Sequence, residues 1–240
     1  MGESKQWYCV QQQAGALVKE CRAIRPRLSA DDTAYERGGK NKILLPPGDS
    51  SVCRTRVDRL ELRLALFGDE GRVYCLTFDP EHEPEKFADV RRAWRSFLRR
   101  LKLHKDGAFD YIYLIEGRHG DHRYHMHLVL RNSDFSPAEV MSLWRFGSIA
   151  SSEPLLLHSK DTYRRTAKYF CKEQTDGIVI PMSARQWVAS RSLSRKLPPP
   201  DIFTSKSGWI PIPEKVRVSG TYSTSNEFGQ YRYAWYILDL

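Results

Sequence analysis

The spacing of apolar positions changes along the chain, and each change marks an element. From Arg72 the run RVYCLTF is rich in β-branched and aromatic residues and lies between GDEG and DPEHEP, which predicts a strand. Pro84 and Glu85 then open a segment in which Phe87, Val90, Trp94, Phe97 and Leu101 recur at spacings of three and four. That spacing predicts a helix to about Leu103, with Arg91, Arg92, Arg95, Arg99 and Lys102 away from its apolar face. FDYIYLIE (109–116) and RYHMHLVL (123–130) read as two strands, and the six-residue GRHGDH between them implies an antiparallel hairpin. Ser136-Pro137-Ala138-Glu139 is a capping box with proline at the first helical position, opening a helix to about Phe146. A further helix is expected from Asp161 to about Glu173, where Tyr163, Ala167 and Phe170 keep core spacing.

The flanks are less regular. In VDRLELRLALF (57–67) the alternation of Leu60, Leu62, Leu64 and Leu66 suits a strand, whereas Val57, Leu60, Leu64 and Phe67 suit a helical face; helix is preferred, with Gly68 as its stop. Residues 1–56 mix QQQ, DDTAYERGGKNK and PPGDSS and are expected to form a loosely packed arm with one short helix around 11–24. PPPD at 198–201 separates a main domain, 57–197, from a C-terminal extension, 198–240, whose WIPIP, KVRV and QYRYAWYIL suggest short strands. The expected fold class is therefore α+β, a central antiparallel sheet with helices packed mainly on one face.

Composition narrows the class. The chain has 240 residues, 41% hydrophobic and 28% charged, which excludes a wholly disordered protein, and the longest apolar runs (YIYLI, HLVL, IVIP) fall far short of a membrane span. A net charge of +9 favours a polyanionic partner, nucleic acid above all. MGESKQWYCV shows no apolar signal region, so a cytoplasmic location is expected. The five cysteines, 9, 21, 53, 75 and 171, contain no C-x-x-C pair and read as reduced thiols rather than a disulfide frame or a zinc site.

Two groups of residues carry candidate chemistry. His125-Met126-His127 lies in a strand, where alternate side chains share a face, so both imidazoles point one way and form half of a metal site. Glu116, a carboxylate ending an otherwise apolar strand, is the natural third ligand. If Glu116 lies opposite Arg123 and Leu114 opposite His125, the carboxylate shares the histidine face; a slip of one residue would turn it away. The other explanation is chance alternation on a solvated strand, and the seven histidines of the chain make such a pair unremarkable alone. His119 and His122 read as plain loop residues. On the helix 161–173, Arg165, Lys168, Tyr169 and Lys172 occupy the polar side. Lys172 sets a cation one turn from the Tyr169 phenol, and cations favour the phenolate that a nucleophile requires. Tyr169 lying simply at the edge of the core is the alternative.

In order, a strand with LTF (76–78), a strand ending in Glu116, His-hydrophobic-His and a helical Tyr-x-x-Lys resemble the HUH endonucleases, and more narrowly the single-tyrosine rolling-circle replication initiators of plasmids and small single-stranded DNA phages. RVYCLTFDP (72–80) looks like the first motif of that family, YHMHLVL (124–130) like the second, and RTAKYFCKE (165–173) like a third that often reads Tyr-x-x-Lys-Tyr-x-x-Lys. Arg165 stands where the first of those tyrosines would be, leaving Tyr169 as the nucleophile in register and Tyr163 as the fallback. The likeness covers about residues 72–175. It implies an RNA-recognition-like palm sheet at 57–197 and a Mg²⁺ or Mn²⁺ ion on His125, His127 and Glu116. It also implies a 5′-phosphotyrosine intermediate through which single-stranded or hairpin origin DNA is nicked and rejoined. Lys172 would order the site or stabilise developing negative charge, and Arg118, Arg123, Arg164, Arg165 and Lys168 would contact phosphates. No G-x-x-x-x-G-K-[ST] occurs, so unwinding and synthesis would fall to a host helicase and polymerase. A transposase or relaxase of the same chemistry, a non-catalytic binder with an RNA-recognition-like sheet, and a two-histidine, one-carboxylate iron oxygenase remain as alternatives, the predicted helices arguing against the barrel of the last. Tyr231, Tyr233, Trp235 and Tyr236 suit either base stacking or ordinary hairpin packing.

Overall fold

The structure is a computed structural model that describes residues 6–24, 51–117, 123–158, 161–171, 187–226 and 229–239. In chain order the elements are β1 (Trp7–Ala14), β2 (Leu17–Ile24), α1 (Ser51–Ala65), β3 (Gly71–Thr77), α2 (Phe87–His104) and β4 (Ile112–Glu116). They continue with β5 (His125–Arg131), α3 (Pro137–Leu143), β6 (Ile149–Pro154), α4 (Tyr163–Cys171) and β7 (Val188–Ala189). The last are α5 (Arg191–Lys196), β8 (Asp201–Ser205), β9 (Val216–Asn226) and β10 (Gly229–Leu238). Among the described residues, two antiparallel five-stranded sheets and five α-helices give the expected α+β class. Among the described residues no helix is long and apolar enough to cross a membrane.

The chain divides into two compact units, residues 55–197 and residues 1–54 with 198–240. In the unit formed by the termini the strand order is β8-β1-β2-β10-β9. The helix expected around 11–24 is not there: β1 and β2 form a hairpin, with Ala14 opposite Leu17. Ala14, Leu17, Val18 and Cys21 imitate a helical face by their spacing, but Gly15 takes φ 55° at the first position of a two-residue turn, which a residue with a side chain adopts only under strain. Partner strands on both sides then supply the backbone hydrogen bonds that decide in favour of β. The C-terminal strands are longer than expected, eleven residues in β9 and ten in β10, and Tyr231, Ala234 and Tyr236 of β10 are buried.

In the other unit the order is β6-β3-β5-β4-β7. Alternation gives its sheet two different faces. Tyr74, Leu76, Met126, Leu128, Leu130 and Ile115 project toward α2 and α3, where they pack with Val90, Trp94, Phe97, Leu101, Val140 and Trp144 into a continuous core. The capping box that opens α3 is formed on both sides, Glu139 N–H donating to Ser136 Oγ at 3.3 Å and Ser136 N–H to Glu139 Oε2 at 2.7 Å. α3 stops at Leu143, and β6, which the sequence reading did not anticipate, follows as an edge strand with an exposed, serine-bearing face. The segment 57–67 is helical as preferred, most of it in α1.

The opposite face carries Cys75 and Thr77 of β3, His125 and His127 of β5, and Leu114 and Glu116 of β4. α4 lies over it, with Phe170 against His127 at 5.6 Å between ring centroids. Glu116 is paired with His125 and Leu114 with His127. That register is two residues from the expected pairing of Glu116 with Arg123. An even shift leaves every side chain on its face, so the carboxylate still joins the histidines. The end of β3 beside them is pinned: Trp144 Nε1 donates to the Thr77 carbonyl at 2.9 Å, and a Cβ at Gly147 would stand 2.2 Å from that same oxygen. Only glycine allows so close an approach.

Candidate active site

Each strand contributes what its position in the alternation dictates. Met126 is fully buried in the core, so its neighbours His125 and His127 project from the other face, with side chains 22% and 9% exposed. Glu116, at the end of β4, sets one carboxylate oxygen between them: Oε2 is 3.1 Å from Nε2 of His125 and 3.1 Å from Nε2 of His127. The remaining nitrogen of His125, Nδ1, lies 3.2 Å from the Arg123 carbonyl. A carbonyl only accepts, so Nδ1 carries the proton of that contact, and in neutral His125 the Nε2 lone pair faces the carboxylate. Two acceptors at that distance repel unless a cation, a proton or a metal ion, lies between them. A backbone carbonyl that fixes the imidazole tautomer in this way is also the usual support of a metal-binding histidine.

α4 brings a phenol to the same point. Its buried side is Tyr163, Ala167, Phe170 and Cys171, and Tyr169 lies just outside that stripe with its residue 42% exposed. The Tyr169 hydroxyl donates to Glu116 Oε2 at 3.3 Å and lies 3.3 Å from His127 Nε2, its ring edge-on to His127 with centroids 5.3 Å apart. A phenol, two imidazoles and a carboxylate therefore meet at one oxygen, on the α4 side of a sheet whose other side is solid core. The donor set suits a divalent cation, with two borderline nitrogens and a hard oxygen convergent and the His125 tautomer already set.

Cys75 was missed by the sequence reading. It lies opposite His127 on β3, and its Sγ and one nitrogen each of His125 and His127 are all within 4.8 Å of one another. Burial, and then the nearby Glu116 charge, push its thiol pKa above the ordinary value, so the metal-free group is a neutral thiol. The only signal for it was the parity of β3, which has no meaning until the β3–β5 register is known.

The cations divide. Arg165 and Lys168 are exposed on α4 beside Tyr169. Arg123 reaches Glu83 at 3.1 Å. Arg164 turns inward, its Nη1 donating to Asp58 Oδ1 at 2.8 Å and to Glu61 Oε2 at 3.0 Å, and so ties α4 to α1. Tyr163, the fallback nucleophile, is 1% exposed and belongs to the core, away from any substrate. Arg118, Lys172, His119 and His122 lie outside the described residues.

Residues 71–174, under half of the chain, match the family model of the replication-associated protein ORF2/G2P. Comparisons with curated proteins and with solved structures give no match. The matched segment contains Cys75, Glu116, His125, His127 and Tyr169, so the residues that meet beneath α4 all fall within the matched part.

Proposed function

We propose that the unit 55–197 is an HUH-type nicking and joining endonuclease that initiates rolling-circle replication, with Tyr169 as nucleophile and His125, His127 and Glu116 as the seat of a divalent cation. One observation carries this reading: the half-exposed Tyr169 ring places its hydroxyl 3.3 Å from both His127 Nε2 and Glu116 Oε2, so nucleophile and cation ligands address the same space. The replication-associated match over 71–174 supports the biological setting.

A Mg²⁺ or Mn²⁺ ion held there supplies Lewis-acid polarisation of a phosphate and fixes its orientation. The protein's own groups do the rest. Phe170 and the buried side of α4 hold the Tyr169 ring over the sheet, so little orientational freedom is lost before attack. The phenol oxygen bonds to phosphorus as the P–O3′ bond breaks, leaving a 5′-phosphotyrosine and a 3′-OH that a host polymerase extends. The phenol releases its proton to solvent and the 3′ oxygen takes one up, so the step balances. Because the phosphodiester is conserved, a later 3′-OH reverses the attack and rejoins the strand. Arg165 and Lys168, exposed beside the tyrosine, suit the backbone of single-stranded or hairpin origin DNA; Arg123 is shared with Glu83, Arg118 completes the set by sequence position, and Lys172 is assigned to ordering the site or stabilising developing negative charge. Unwinding is assigned to a host helicase.

The test is to incubate the full chain with single-stranded oligonucleotides and Mn²⁺ and resolve covalent adducts on a denaturing gel. Wild type is expected to form an adduct and Tyr169→Phe none. Undiminished adduct in that variant overturns the assignment of the nucleophile. DNA binding without any adduct from wild type, across a broad set of oligonucleotides, would instead identify a non-catalytic binder.

A further inference from the structure

A cation bound by two imidazoles and one carboxylate keeps open positions, as a catalytic centre must; a fourth protein ligand closes a tetrahedral shell, as in structural zinc sites. At this site the fourth donor is at hand. Cys75 projects from β3 on the same face and opposite His127, and its sulfur lies within 4.8 Å of one ring nitrogen of each histidine. Tetrahedral Zn–N bonds of about 2.0–2.1 Å and a Zn–S bond of about 2.3 Å place donor atoms ~3.4–3.6 Å apart. Contraction by roughly an ångström therefore brings the sulfur and the two imidazoles to ligand spacing, on the scale that side-chain rotation moves an atom. The face is fixed by sheet register, so Cys75 stays on the histidine side as long as the β3–β5 pairing holds.

Resting on the reading that His125, His127 and Glu116 hold the cation, we propose that this centre has two modes chosen by the softness of the ion. Hard Mg²⁺ or Mn²⁺ uses the imidazoles and the carboxylate and leaves Cys75 aside, keeping positions for phosphate. Zn²⁺ or Cd²⁺ recruits Cys75 as a thiolate, releasing the thiol proton to solvent, and fills the four positions with protein donors. The second mode is closed to phosphate, so zinc is a tight inhibitor of this enzyme rather than its cofactor. Soft ligands and the general order of divalent affinities both favour that exchange, and zinc is expected to displace manganese at a large manganese excess.

The probe is the metal alone, added to the full chain stripped with a chelator. Cd²⁺ is expected to bind with one equivalent and to give an ultraviolet thiolate-to-metal charge-transfer band. Cys75→Ser should lose the band and bind at least tenfold more weakly, and His127→Ala should lose high-affinity binding altogether. In wild type, Zn²⁺ but not Mg²⁺ should protect Cys75 from iodoacetamide, read peptide by peptide by mass spectrometry; this needs no variant and holds should Cys75→Ser fail to fold. Zinc inhibition of adduct formation, taken against each protein's own zinc-free rate, should require at least tenfold more zinc in Cys75→Ser. Cadmium binding that depends on His127 and not on Cys75, with Cys75 equally reactive with and without zinc, overturns the two-mode centre and leaves the cation site standing. Cadmium binding unaffected by His127→Ala overturns the cation site itself.

Discussion

Arg164→Ala separates two roles for a cation on α4, the helix that carries Tyr169. Sequence position suggested a phosphate contact; the structure instead binds the guanidinium to Asp58 and Glu61 of α1. The Asp58 leg is partly exposed, with Arg164 and Asp58 side chains 29% and 31% exposed, and is worth below about 1 kcal/mol after solvent screening. The Glu61 leg differs, because that carboxylate is 2% exposed. Removing one partner of a buried pair costs about 3–5 kcal/mol when the charge left behind is fully enclosed. With the arginine itself partly in water, about 2–3 kcal/mol is the reasonable share. The sum, about 3 kcal/mol, is a large fraction of a stability of roughly 5–15 kcal/mol but does not abolish folding. Urea unfolding of the full chain should show a midpoint lower by about 1–2 M with little change in slope. Amide exchange should accelerate first in α4, and the rate of adduct formation should fall more than the affinity for DNA, because Tyr169 loses its placement while Arg165 and Lys168 remain. Arg164→Lys should restore part of the stability, keeping the charge but not the forked geometry. A variant as stable as wild type that has lost only DNA affinity would refute the tether and return Arg164 to the phosphate-contacting set.

Phe97 is fully buried and packs edge-on to Trp144 at 5.2 Å and to Trp94 at 6.0 Å; Phe97→Ala should cost about 3–5 kcal/mol in denaturant titrations, and a loss under 1 kcal/mol would contradict the packing beneath the sheet. Glu139 is held down to about 2 from 4.5, first by the Ser136 hydroxyl, then by His104 and the Ser136 backbone N–H. Since the folded value is the lower one, its contribution is complete above pH 4.5 and lost as pH falls toward 2; an NMR titration of the Glu139 carboxyl should show this, with the midpoint returning toward 4.5 in Ser136→Ala. His127→Ala should abolish rejoining as well as cutting in Mn²⁺, because both directions use the same cation seat; ligation that persists would remove the cation from the mechanism.

The parts of the fold that could be read from the sequence are those in which local period and tertiary demand agree. Phe87, Val90, Trp94, Phe97 and Leu101 announce α2 because the core they fill is what their spacing describes. Ser136 and Glu139 announce α3 because a capping box is a local bond. β1 and β2 went unread because the strands that flank their hairpin, β8 and β10, lie about two hundred residues away, while Ala14, Leu17, Val18 and Cys21 keep a helical rhythm. β6 went unread because an edge strand with an exposed face has no apolar alternation to show. At the site, Glu116, His125 and His127 were legible since only parity mattered, and parity survived a register two residues from the expected one. Cys75 was not, because its place depends on a pairing between strands some fifty residues apart. The inward turn of Arg164 was hidden for the same kind of reason: its carboxylate partners lie more than a hundred residues earlier.

The central claim is that the Tyr169 oxygen forms a phosphodiester with DNA. Trypsin cuts after Lys168 and Lys172, so mass spectrometry of the adduct formed with an oligonucleotide in Mn²⁺, after nuclease trimming, should find a nucleotide joined through its 5′-phosphate to the peptide Tyr169-Phe170-Cys171-Lys172. A nucleotide on any other peptide, or one joined through a 3′-phosphate, would contradict it.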